Sequence, residues 1–174
     1  MDVVRKRRSI RKYSSEKVSD EKLANILEAA LLAPSGGNRQ PWKFIVVRDS
    51  DVKAKVAEAC SKQLWMADAA VIVAGCYQPV PGVDETPLMR DVTIAMENLV
   101  LAAVSEGLGT CWIGASGERA RLLRPILQIP PEVGINALVT IGYAAEPPRQ
   151  KTLKKKEEAV CYDSYAPAEI KVIN

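Results

Sequence analysis

The sequence predicts one domain in which helices and strands are interleaved, and three observations carry that prediction. Stretches with apolar residues at three- and four-residue spacing alternate along the chain with short β-branched or continuous apolar runs. Clusters of Pro, Gly, Ser and Asn separate these stretches. The chain has 174 residues and no internal repeat, a length at which one domain buries roughly 70% of the surface its unfolded form exposes.

Ser19 is placed to cap a helix in which Leu23, Ile26, Leu27, Ala30 and Leu31 share a stripe, until Pro34 prevents continuation. Phe44 to Val47 reads as a short strand, and Ser50 as the cap of a helix from Asp51 to about Cys60. Ala69 to Cys76 reads as a buried strand, and Tyr77 to Thr86, with Pro79, Pro81 and Gly82, as a loop. The longest helical pattern runs from about Leu88 to Glu106, with Val92, Ala95, Met96, Leu99, Ala102 and Ala103 on one stripe and Gly107 as its stop. It is the expected central helix. Thr110 to Ile113 is a strand, Ser116 opens a helix over Glu118 to Leu123, and Asn136 to Tyr143 is a further buried strand. Residues 149 to 174 hold too few apolar positions for a core of their own. Such a tail frays or packs on another subunit, and Ile170 to Ile173 has the character of an added edge strand.

Composition removes several classes of chemistry. The sequence contains no histidine, which excludes Ser-His-Asp and Cys-His nucleophile pairs, His-ligated zinc and imidazole proton transfer. An enzyme built this way leaves its difficult step to a cofactor. Cys60, Cys76, Cys111 and Cys161 stand singly with no C-x-x-C spacing, three of them in apolar stretches, as expected of a reducing cytoplasm. No apolar run approaches a membrane span, so membrane insertion and export are not expected. The net charge of +3 comes from cations gathered near residues 5 to 12 and 149 to 156. Two local clusters without stacking aromatics suit a discrete anion better than nucleic acid.

Two blocks have the equipment to grip a polar, phosphorylated ligand. Arg7, Arg8, Ser9 and Arg11 offer guanidinium forks and a short hydroxyl, a combination that takes phosphate oxygens, although an isolated basic segment is equally a solvated surface. Pro34-Ser35-Gly36-Gly37-Asn38 carries more special residues than a turn needs, and Asn38 and Gln40 each offer a donor and an acceptor. Trp42 is expected in the core. Gly107-Leu108-Gly109-Thr110-Cys111-Trp112-Ile113-Gly114 reads as a helix stop entering a strand, with glycines that also permit a planar ring to approach the backbone. Neither a dinucleotide-binding G-x-G-x-x-G after a strand nor a P-loop is present.

In this order and spacing, R-R-S-I-R, P-S-G-G-N-x-Q-P-W, G-L-G-T-C-W-I-G and I-G-Y-x-x-E-P-P-R resemble the FMN-dependent nitroreductase family over nearly the whole chain. The resemblance implies an α+β fold of three layers, α/β/α, with a central mixed sheet and a C-terminal extension that embraces a dimer partner. It implies a single domain over residues 1–174 and a homodimer with FMN at the subunit interface. By the same resemblance Arg7, Arg8, Ser9 and Arg11 hold the FMN phosphate, ribityl chain and pyrimidine edge, and Arg149 and Lys151 complete the phosphate site. Pro34, Ser35, Gly36 and Asn38 come from the other subunit. The Gly114 backbone amide faces flavin N5, with Ile113 beside it, and no side chain is assigned a catalytic role. Gln63 is the candidate for the pyrimidine in residues 61 to 65.

The implied activity is ping-pong transfer of hydride from NADH or NADPH through FMN to a small-molecule acceptor such as a nitroaromatic or quinone. Alternatives within the resemblance are reductive dehalogenation, azoline oxidation, a synthase that consumes its flavin, and a flavin-binding or redox-sensing protein without efficient turnover. The segment between Tyr77 and Leu88 is shorter than in larger members, in which helices cover the substrate.

Overall fold

A computed structural model describes residues 1–165; the strand expected over Ile170 to Ile173 lies outside the described residues. In chain order the elements are α1 (Asp2–Lys6), α2 (Asp20–Leu31), β1 (Trp42–Val47), α3 (Ser50–Ala59), β2 (Val71–Tyr77), α4 (Glu85–Ser105), β3 (Gly109–Gly114), α5 (Glu118–Leu127), β4 (Gly134–Gly142) and α6 (Lys156–Ala159), with single 3-10 turns at Gly36–Asn38 and Leu64–Asp68.

The four strands form one sheet in the order β1-β2-β4-β3, and every ladder is antiparallel. The parallel pairing that makes the expected sheet mixed is confined, among the described residues, to one bridge between Ser9 and Thr110. Side chains of β2 divide strictly by parity: Val71, Val73 and Tyr77 enter the core beneath α2 and α4, while Ile72, Ala74 and Cys76 enter the core beneath α3 and α5. Strand β4 keeps this division only because of a bulge. Gly75 faces Ala137 but Cys76 faces Ile135, so Asn136 is an extra residue, and Ile135 returns to the same face as Leu138. Helices thus cover both faces of the sheet, as a three-layer α+β domain requires.

Helix α4 is the hub of the first layer, burying Leu88, Val92, Ala95, Met96, Leu99, Val100 and Ala103. It begins at Glu85, earlier than the pattern suggested, because Pro87 falls in the first turn, where a missing N–H breaks no helical bond. Helix α2 lies antiparallel along it: Lys22 Nζ reaches Glu106 O at 2.6 Å near one end, and Asn98 Nδ2 donates to Ala29 O at 3.2 Å further along. Ser19 caps α2 as expected, its Oγ accepting the Lys22 N–H at 3.3 Å. Leu31, expected on the buried stripe, is 55% exposed because α2 reaches its last turn there.

Other boundaries move for identifiable reasons. Asp49, one residue before the expected Ser50, caps α3 by accepting from the N–H groups of Asp51 and Val52. Gly117, at φ 58°, takes the cap position of α5 where Ser116 was expected, and α5 runs past Leu123 through Pro125 to a left-handed Gln128. Cys60, Cys76 and Cys111 are buried and Cys161 is exposed, all as free thiols. Among the described residues, no helix is long and apolar enough to cross a membrane.

Candidate active site

After α1 the chain turns extended at Arg7 and runs against β3, with Ser9 bridged to Thr110 and the Ile10 N–H donating to Thr110 O at 2.8 Å. Ile10 and Tyr13 are buried, whereas Ser9, Arg11 and Lys12 face solvent. The segment is therefore held by Ile10 and Tyr13, which leaves its polar residues displayed. Burial pushes the Cys111 thiol up, and Arg11, Ser9 and Arg7 pull it back. Arg11 lies over the Trp65 ring, 5.9 Å from its centroid. Among the described residues, neither Arg7 nor Arg11 has a carboxylate at ion-pair distance. Arg8 differs, since its guanidinium donates to Arg5 O at 2.7 Å and Arg7 O at 3.0 Å and so braces its own backbone.

The direction of the Gly114 amide follows from the β3–β4 ladder. The Ala115 N–H donates to Asn136 O, so the odd residues of β3 bond inward to β4 and the even ones turn their backbone groups to the outer edge. Thr110 O, which receives the Ile10 N–H, and Gly114 O, which receives Arg119 at 3.1 Å, both obey this alternation. The Gly114 N–H consequently points outward along the edge on which Ser9 lies. A Cβ at Gly114 would meet no atom within 4 Å, so the space beside it is open. Ile113, by contrast, is buried in the core beneath α3 and α5.

Arg119 ties a third segment to this edge, its Nε and a terminal nitrogen each 3.3 Å from Ser61 Oγ. Gln63 precedes the 3-10 turn that carries Trp65, so the cation–π contact with Arg11 holds residues 61–65 beside the basic segment.

The second block is built around α4 instead. Asp91, 7% exposed, accepts from the Gly36 N–H at 3.1 Å and pairs with Arg39 at 3.3 Å. A Cβ at Gly36 would lie 2.2 Å from the Arg39 guanidinium, so a larger residue there would push the flexible Arg39 side chain out of its present place beside Asp91. Ser35 Oγ accepts the Gln40 N–H at 3.0 Å, and Asn38 Oδ1 accepts from the Gln40 side chain at 2.9 Å. Gly37, Asn38 and Gln40 all have positive φ, near 50°, which explains the glycine and amide content of the loop. Pro34 is exposed at its start.

Within one chain the two blocks do not meet. Asp91 anchors the loop near the start of α4, whereas Ser9 sits against the strand that follows its end. The fifteen residues of helix from Asp91 to Ser105 span roughly 22 Å at 1.5 Å per residue. Arg149 and Lys151 are exposed on irregular backbone. They leave the fold beside the basic segment, because the Ala145 N–H donates to Lys12 O at 2.9 Å and four extended residues from there to Arg149 reach at most about 14 Å. Two depressions, of about 450 Å³ beside Ser14–Val18 and about 400 Å³ between β1 and Ile126–Gln128, contain none of these residues.

Tyr13, Asp91 and Arg119 escaped the reading of the sequence. Asp91 alone left a signal, a carboxylate set on the apolar stripe between Leu88 and Ala95. Among the described residues no group of three or more acidic, Cys or His ligands could hold a metal.

The sequence profile of the nitroreductase family matches residues 4–80 and 65–143. A protein of Archaeoglobus fulgidus, provisionally named NADH dehydrogenase/NAD(P)H nitroreductase, is 40% identical over 142 residues, covering 79% of this chain and 80% of its own. The Bacillus subtilis FMN reductase [NAD(P)H] is 29% identical over 176 residues, covering 91% and 71%. Among solved structures, an FMN-dependent nitroreductase from Clostridium difficile superposes with a TM-score of 0.84 at 28% identity, covering 94% of this chain and 98% of that one.

Proposed function

The chain belongs to the nitroreductase family, and from that premise we propose that it is an FMN-dependent oxidoreductase working between NADH or NADPH and a small-molecule acceptor such as a nitroaromatic or quinone. The observation that carries this reading is the outer edge of β3, which the segment of Arg7, Ser9 and Arg11 meets at Thr110 and on which the Gly114 N–H points outward. The residues fit the cofactor: guanidinium groups that have no carboxylate partner among the described residues suit a phosphate, and the open space at Gly114 suits a planar ring. When bound, the flavin supplies the hydride-accepting and hydride-donating atom, N5, so donor and acceptor occupy one place in turn.

Arg7 and Ser9, with Arg149 and Lys151, hold the phosphate and ribityl chain, and Arg11 and Gln63 address the pyrimidine side. Arg8 contributes by keeping the Arg5–Arg7 backbone in place. The Gly114 N–H orients N5, and buried Ile113 keeps that stretch of β3 from moving. Pro34, Ser35, Gly36 and Asn38 act from the other subunit of a homodimer. The roughly 22 Å of α4 between Asp91, which holds the loop, and the helix end, beyond which β3 begins, supports that arrangement. So do the exposed apolar residues Met89 and Ile94 on α4, and a tail in which Leu153 and Tyr162 are 70% and 67% exposed. The buried thiols suit a reducing cytoplasm.

Steady-state kinetics of the FMN-loaded dimer with NADH and a quinone test this reading. Parallel double-reciprocal lines are expected from two half-reactions in one pocket. Intersecting lines would overturn the shared pocket, and a flavin-loaded dimer that does not oxidise NADH or NADPH would be a flavin-binding protein.

A further inference from the structure

We propose that Tyr13 is the positioning residue of the cation clamp, setting the direction of Arg11 by tying the Ile10–Tyr13 stretch together with its hydroxyl; this rests on the reading of Arg7, Ser9 and Arg11 as FMN ligands. Tyr13 is 7% exposed, and its hydroxyl lies 2.8 Å from Ile10 O and 2.7 Å from Thr140 Oγ1. Thr140 is itself fully buried on β4, and the other partner of its hydroxyl among the described residues, Cys111 O, is 3.4 Å away. Each hydroxyl has one proton, so the short contacts form a directed chain in which Thr140 donates to Tyr13 and Tyr13 donates to Ile10 O.

The seat beneath this chain is shaped for it. Gly109 and Gly142 face each other across the β3–β4 ladder, and a Cβ on either would lie 2.7 Å from Ile10 or 2.9 Å from Tyr13. The flanks are fixed as well, because the Ser14 N–H donates to Tyr143 O and the Ala145 N–H to Lys12 O, both at 2.9 Å. Arg11 therefore projects from a stretch tied at both ends, above Trp65, which packs against the cluster of Ile10, Tyr13 and Ala69. A phenyl ring would fill this seat equally well. The buried hydroxyls repay their desolvation only through these partners, and what the partners fix is the backbone that carries Arg11.

The test is a double-mutant cycle of Tyr13→Phe with Arg11→Ala, read as the dissociation constant of FMN added to flavin-free protein. Tyr13→Phe is expected to weaken FMN binding about tenfold when Arg11 is present, and by less than about threefold when Arg11 is already alanine. Equal effects in both backgrounds, or no effect in either, would overturn the proposal. Should Tyr13→Phe not fold, Thr140→Val replaces it in the same cycle, with the same non-additivity expected and additivity counting against the proposal. Wild-type protein that bound no FMN would overturn the functional reading and this inference with it, whereas an additive cycle on a protein that binds FMN removes the role of Tyr13 alone.

Discussion

Replacing Asp91 separates two ways in which one carboxylate organises the Pro34–Trp42 loop. Its Oδ1 accepts the Gly36 N–H at 3.1 Å, and its Oδ2 pairs with Arg39 at 3.3 Å, with side-chain exposures of 9% for Asp91 and 26% for Arg39. Arg39 Nε is already buried without a partner, so a guanidinium left alone there has little other compensation. Breaking a fully buried pair costs about 3–5 kcal/mol; Arg39 keeps some access to water, so Asp91→Ala is expected to cost about 3 kcal/mol, including the orphaned Gly36 N–H. Asp91→Asn preserves an acceptor for Gly36 and loses only the charge, at about 1.5 kcal/mol. For a domain of this size the alanine variant should lose roughly 6–12 °C in Tm. Urea unfolding of both variants at equal protein concentration measures the two costs. An alanine variant within about 0.5 kcal/mol of wild type, or an asparagine variant as unstable as the alanine one, would refute this account of the loop.

Gly114→Ala should leave stability within about 0.5 kcal/mol of wild type, because its Cβ enters open space, while FMN affinity falls; a change in stability without a change in affinity would contradict the placement. Arg11→Ala should lower the flavin midpoint potential, by at most about 90 mV for a charge near 4 Å at an effective dielectric of 20, and an unchanged potential and affinity would remove Arg11 from the site. Gly109→Ala drives a methyl to 2.7 Å from Ile10 and should cost about 1–3 kcal/mol in urea unfolding. Burial pushes the Cys76 thiol up to about 11 from 9.0, so between those values the unfolded chain ionises while the folded one keeps its proton. Stability therefore falls as pH rises through that window, and Cys76→Ala should flatten the decline measured by unfolding at pH 9 to 11, with an unchanged slope as the contrary result.

What the sequence made legible followed from local rules. Ser19 and the stripe of α2 are governed by capping and helical periodicity, and the parity of β2 by the pleat. Boundaries failed where one residue tolerates two readings. Pro87 lies in the first turn of α4 and Pro125 inside α5, both beyond the bounds that periodicity set for those helices. The basic segment and the glycine loop were visible as compositions, but the groups that hold them were not. Tyr13 acts on Thr140, which is 127 positions away, and Asp91 acts on Gly36 and Arg39, which are more than fifty away. Such pairings are properties of the fold, and only the conspicuous carboxylate on the α4 stripe hinted at one of them. Arg8 carries a further constraint the sequence did not show, since one of its guanidinium nitrogens, Nη1, is turned to the carbonyls of Arg5 and Arg7.

The most direct test is an anaerobic FMN titration of the flavin-free protein followed by NADH, recorded in the visible spectrum, with the oligomeric state measured on the same sample. The account predicts two FMN per dimer, a yellow spectrum that bleaches on adding NADH or NADPH, and loss of FMN when the dimer is diluted to monomers. A protein that binds no FMN, or a monomer that retains one FMN per chain, would contradict the site built from β3 of one subunit and the Pro34–Asn38 loop of the other.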